Sequence, residues 1–224
     1  MTSARLLKVQ AVSGLLFSAF LAVHIANTAS AVFGKYDEFQ RAARSFYHNS
    51  FIEIGAVAAA LVVHVAVSLV LARRRVASRP PLWLRLHRLS GYVLTCFVFT
   101  HAFATRGVGL ISHLTIAAQY VTFVLRAWPT FFYPYYALLV AAGGYHLISG
   151  LRLASGRVGL PLATRLRPAF IYIVSALVVA AGLLGIAALG GVFRPAPVPD
   201  EAAYRRYFER MLPRALQGSA TKRR

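Results

Sequence analysis

Apolar residues in this chain gather in long blocks, with polar residues confined to the gaps between them. A surface helix of a soluble domain would instead show an apolar stripe at 3.6-residue spacing. A bilayer crossing takes about 20 residues at roughly 1.5 Å rise each. Five blocks reach that length, near residues 8–32, 50–72, 87–106, 131–153 and 168–193. The pattern predicts an all-α polytopic membrane protein with five transmembrane helices. Residues 1–193 form the bundle, with an internal repeat of 8–72 and 87–153, and residues 194–224 form a basic exposed tail.

The remaining segments are shorter or more polar. ISHLTIAAQYVTFVLRAW, within 107–130, reads as an interfacial helix, with His113 on the surface. Trp128-Pro129 closes it, and Tyr133, Tyr135 and Tyr136 then suit the headgroup level. Pro195, Pro197 and Pro199 stop the last span. EAAYRRYFERML beyond them predicts a short amphipathic helix lying on anionic lipid. The N-terminal block is long for a secretory signal, and cleavage at Ala29-Ser30-Ala31 would remove His24, so it is read as a span.

Composition fits this picture. The chain has 224 residues, 58% hydrophobic and 14% charged, with mean hydropathy +0.60. The net charge of +19 needs no nucleic acid to explain it, because the arginines stand between apolar spans. Twelve basic residues fall on the N-terminal side of the spans: Arg5, Lys8, Arg73, Arg74, Arg75, Arg79, Arg85, Arg88, Arg152, Arg157, Arg165 and Arg167. Six fall opposite: Lys35, Arg41, Arg44, Arg106, Arg126 and Arg194. The positive-inside rule puts the N-terminus inside and the tail outside, although the tail is itself basic. The single cysteine, Cys96, excludes a disulfide framework or a CxxC metal site. Metal chemistry here would be imidazole chemistry.

The chemistry-bearing residues follow a repeat. SGLLFSAFLAVH at 13–24 and SGYVLTCFVFTH at 90–101 share Ser-Gly, nine residues and a histidine. HVAVSLVLA from His64 and HLISGLRLA from His146 make a second pair. Intramembrane histidines are costly and usually functional. Helix rise places His24 and His101 at one depth, with His64 and His146 roughly 16 Å nearer the inner side. Each level offers two imidazoles, which suits the axial ligation of two b-type haems. A zinc site would want three or four ligands at one level.

Around these ligands, Ser13, Gly14, Ser90 and Gly91 fall near the inner level, where small residues would let a haem edge approach; Ser68 and Gly150 are placed to do the same. For haem propionates, Arg106 is the outer candidate, with Arg41 or Arg44 behind it, and His87 and Arg88 are the inner ones. Glu53, near the outer end of the second span, is a candidate for proton uptake beside a quinone. Asn27 and Tyr145 are candidates to line the same cavities. Ala181-x3-Gly185 predicts close packing of the fifth span, which carries no histidine and is expected at the periphery.

SG-x9-H twice, His64 in the second span and HLISGL at His146 resemble the membrane-anchor cytochrome b superfamily of succinate dehydrogenases and fumarate reductases, of the single-subunit di-haem type. That resemblance implies haem ligation by His24, His64, His101 and His146. It also implies a flavoprotein and an iron–sulfur subunit as partners, electron exchange with quinone, and a bacterial inner or mitochondrial membrane. Some members of that family carry a glutamate where this chain has Gly144. HIANT at the first histidine, SFYHNSFIE before the second span and YYALLVAAGGYH before the fourth histidine are similar to fungal mitochondrial outer-membrane lipid-homeostasis adaptors. That resemblance implies the same bundle in a non-enzymatic adaptor.

Overall fold

The computed structural model describes residues 2–47, 51–74, 79–160 and 167–211. Arg75, Arg165, the tail beyond Met211 and the side chains of Arg44 and Glu53 lie outside them. Among the described residues all regular structure is helical. Five stretches are long and apolar enough to span a membrane, at Ser3–Phe33, Gly55–Arg73, Leu82–Ser112, Pro129–Arg157 and Pro168–Leu189. The protein is an integral membrane protein.

The helices begin and end for local reasons. Helix α1 (Ser3–Ser30) starts at Thr2, whose hydroxyl accepts from Arg5 N at 3.5 Å, and stops where Gly34 takes φ 72°. That left-handed conformation costs a glycine nothing sterically. Helix α2 (Tyr36–Tyr47) was not foreseen from the apolar blocks, because it is an amphipathic helix outside the spans. Asp37 and Glu38 in its first turn oppose the helix dipole. Helix α3 (Ala59–Arg73) continues a π-helical turn at Phe51–Ala58. Helix α4 (Leu82–Ala102) runs on through a second π-helical turn to Ser112, longer than the apolar block suggested. The short α5 (Ala118–Ala127) leads into α6 (Pro129–Arg157), and α7 (Pro168–Leu189) is the last span. Both α6 and α7 open on a proline, which has no N–H to leave unsatisfied there. Helix α8 (Glu201–Met211) follows the prolines.

Packing among the spans is uneven. Helices α1, α6 and α7 pack on one another, while α3 leans on α1 and α4 leans on α6. Helices α3 and α4 do not pack along each other. The fifth span owes its close fit to glycines. A Cβ at Gly185 would run into the backbone of Thr28, and one at Gly144 would meet Val179 Cγ2 at 2.9 Å. Gly144 therefore faces α7, and a glutamate side chain would have no room there.

The face opposite the N-terminus carries a cap. Tyr120, Val121, Phe123, Val124 and Leu125 of α5 are buried with Tyr204 of α8. Helix α5, about 15 Å long, is too short to cross a bilayer, and it is packed into the protein. Thr122 Oγ1 donates to Leu189 O at 2.7 Å, and Tyr204 Oη to Thr115 O at 2.6 Å. Ala118 N donates to Asp37 at 3.0 Å, and Gln119 to Asp200 at 2.8 Å. The apolar face of α8 is thus spent on the protein, with Phe208 stacked among Tyr120, Phe123 and Trp128.

Candidate functional site: two facing histidine pairs

Because α3 and α4 stand apart, a cavity of about 980 Å³ opens between α1, α3, α4 and α6. All four repeat-related histidines line it. His24 of α1 faces His101 of α4, ring centres 6.0 Å apart and planes inclined at 70°. His64 of α3 faces His146 of α6, ring centres 6.2 Å apart at 81°. Each pair joins diagonal helices, so the repeat brings the four residues together two by two. Two imidazoles sharing one metal through bonds of about 2.0–2.1 Å would hold their ring centres roughly 6.3–6.5 Å apart. Among the described residues no group of three or more His, Cys, Asp or Glu is placed to hold a metal ion.

The pair nearer the N-terminal face is tightly held. His64 Nδ1 lies 3.0 Å from Gln10 O, and His146 Nδ1 lies 3.1 Å from His87 O. A carbonyl can only accept, so each Nδ1 carries the proton and each Nε2 keeps its lone pair for a ligand. Gly14 lies under the ring of His64, where a Cβ would stand 2.8 Å from Cε1. Gly91 lies under His146, with the corresponding distance 3.0 Å. The glycines make room for the imidazoles themselves. Their serine neighbours turn back onto the helices: Ser13 Oγ donates to Val9 O at 2.8 Å, and Ser90 Oγ to His87 O at 2.9 Å. Ser90 Oγ also lies 3.2 Å from His146 Nδ1.

Residues that the sequence left unassigned complete this level. Gln10, buried on α1, donates to Ser68 Oγ at 2.7 Å and accepts from Arg157 at 2.6 Å, tying α1, α3 and α6 together. Nothing in its sequence context separates it from any other glutamine, and Arg157 had stood only as a topology-setting charge. His87 stacks on His146 at 4.2 Å and 10°, with Nδ1 2.8 Å from Ser149 Oγ. Gly150 lies beneath His87, not beneath a ligand pair. Arg88 lines the cavity, and its buried Nε has no hydrogen-bond partner among the described residues.

The other pair is held by side chains. Tyr135 Oη lies 3.3 Å from His101 Nδ1, and Tyr136 meets the same ring edge-on at 6.3 Å. Two of the three tyrosines expected at the headgroup level thus contact His101. Phe20 stacks on His24 at 5.8 Å. Arg106 lines the cavity as well, whereas Arg41 belongs to a separate groove with Asp37 and Arg194. Asn27 is buried away from the cavity, and Tyr145 donates to Trp83 O at 2.9 Å, a packing contact.

Comparison with known families bears on the second half of the bundle. Residues 96–192 match the model described as MDM10-complementing protein 1, transmembrane domain. The match covers less than half the chain and includes His101, His146 and all of α7. It supports the resemblance to the mitochondrial lipid-homeostasis adaptors. Support for the dehydrogenase anchor family is lacking. No curated protein and no solved structure matches the chain.

Proposed function

We propose that this chain is a membrane adaptor whose bundle carries two b-type haems, one between His24 and His101 and one between His64 and His146. The adaptor class rests on the similarity of residues 96–192 to the MDM10-complementing protein 1 transmembrane domain. The haems rest on one observation: two histidine pairs face each other across a single cavity at 6.0 and 6.2 Å, close to the spacing that a shared metal imposes. The donor set fits the group. Imidazoles with Nδ1 held on carbonyls present Nε2 as a ligand, and the cavity-lining guanidinium of Arg88, whose buried Nε has no hydrogen-bond partner among the described residues, suits a propionate.

A haem held by two imidazoles transfers electrons and leaves no position for oxygen. An electron relay is accordingly the second reading, favoured by the two pairs lining one cavity. In either case the protein's part is to orient the rings, exclude water with the apolar walls of α1 and α6, and neutralise carboxylates with arginine.

Oxidised and reduced spectra of the purified protein, with haem stoichiometry, test the proposal. Two low-spin b-type haems per chain are expected, and a folded haem-free protein would overturn it. Were one iron held by each pair at the ring angles of 70° and 81°, a strongly anisotropic ferric resonance would be expected. His24→Ala should remove one haem and His64→Ala the other. Co-purification with flavin and iron–sulfur subunits would move the reading from adaptor to respiratory anchor.

A further inference from the structure

The cavity has one unclosed side. Helix α3 is braced by α1 and α4 by α6, and along the seam between α3 and α4 the two helices do not pack. Leu61 and Val65 on one wall, with Thr95 and Val98 on the other, line the cavity. Leu69 and Tyr92 also line the cavity and are 43% and 50% exposed, so the cavity is not closed off from the surface there. Both ends of the cavity carry guanidinium groups: Arg106 with Leu114 and Ile116 beneath the α5 cap, and Arg88 with Arg157 at the other end.

We propose that haem enters and leaves this protein sideways, from the bilayer, through the slot between α3 and α4. The inference rests on the haem reading above. An apolar macrocycle dissolved in the membrane meets apolar walls all along the slot, whereas both ends of the bundle present guanidinium groups and the capped end presents packed side chains as well. Desolvation makes both ends the costlier path for an apolar disc. The four ligands face into the gap from diagonal helices, so a macrocycle sliding in edge-first passes between the facing rings. Once in place it fills the space that α3 and α4 leave, and it becomes the contact that closes the bundle.

The test locks the slot. Leu61→Cys and Thr95→Cys, in a Cys96→Ala background, are joined with a thiol-cleavable bismaleimide after the full-length protein has been purified with its haem. Vesicles of phosphatidylcholine carrying mesohaem are then added, and exchange is followed by the shift of the α band. Exchange is expected to slow at least tenfold on locking and to recover when the linker is cut. An unchanged spectrum on locking shows that the ligand pairs are undisturbed. Equal exchange rates in locked and open protein would overturn the lateral route while leaving the haem reading intact. A starting spectrum without haem would overturn both, and it is read before any linker is added.

Discussion

The two histidine levels are built from the same repeat, yet they are held in different ways. At the level of His64 and His146, both Nδ1 atoms rest on main-chain carbonyls and both rings lie against glycine. At the level of His24 and His101, the nearest counterpart is a phenol 3.3 Å from His101, with Phe20 stacked on His24. Main-chain partners move only with their helices, so the first pair is fixed by the bundle. Side-chain partners can be changed one at a time, so the second pair is the one open to adjustment. A duplicated motif thus supplies two similar histidine pairs that are held unequally.

The largest expected break in this comparison comes from Gly14→Val. The new side chain meets His64 Cε1, and the ring cannot retreat without leaving Gln10 O. Haem stoichiometry should fall to about one per chain, with the His24/His101 site intact, because only a residue without Cβ permits that approach. Loss of both haems, or of neither, would show that the levels do not differ as described. Gln10→Leu is expected to be milder. It removes the bonds to Ser68 and Arg157 but leaves the carbonyl that holds His64. A hydrogen bond to a charged group contributes about 1.5–3 kcal/mol, which should appear as earlier loss of the His64/His146 haem on denaturant titration.

Tyr135→Phe sharpens the comparison at the other level. With Nδ1–H of His101 donating to the phenol oxygen, the bond makes the imidazole a stronger donor and stabilises ferric iron. Its loss should raise the midpoint potential of that haem alone. A net hydrogen bond of about 0.5–1.5 kcal/mol corresponds to roughly 20–60 mV for one electron. A shift at both haems would show that the levels are not independent.

The smallest effect concerns the cap. Burial first, then the Asp200 and Asp37 carboxylates, push the Tyr204 phenol up to about 12. A free tyrosine titrates near 10. The folded cap therefore holds the proton more tightly, and its contribution is complete below about pH 10 and lost as pH rises towards 12. Protease cleavage between α7 and α8 should increase over that window while the haem bands stay unchanged. Tyr204→Phe should abolish the pH dependence.

How much of this was legible in the chain depends on what each feature needs. Five spans follow from block length alone, because lipid demands continuous apolar helix. The four histidines stood out because each is expensive where it sits. Helix α2 and the burial of α5 and α8 were not legible. An amphipathic helix shows which face is apolar but not what covers it, and Tyr204 and Phe208 of α8 pack on α5.

Sequence by itself determined the spans, the repeat and the matched depths of the histidines, since rise per residue converts spacing into height. Only the tertiary structure decided which helices stand apart. Helix α3 packs along α1 and not along α4, and the cavity opens between the four helices. It also decided that Gly14 and Gly91 serve the imidazoles, and that Gln10 and Tyr135 belong to the site. Those are contacts between residues at least 34 positions apart, among them Gln10 with Arg157 and Tyr135 with His101. No local pattern encodes them, because they are fixed by how the helices rotate and pack against one another.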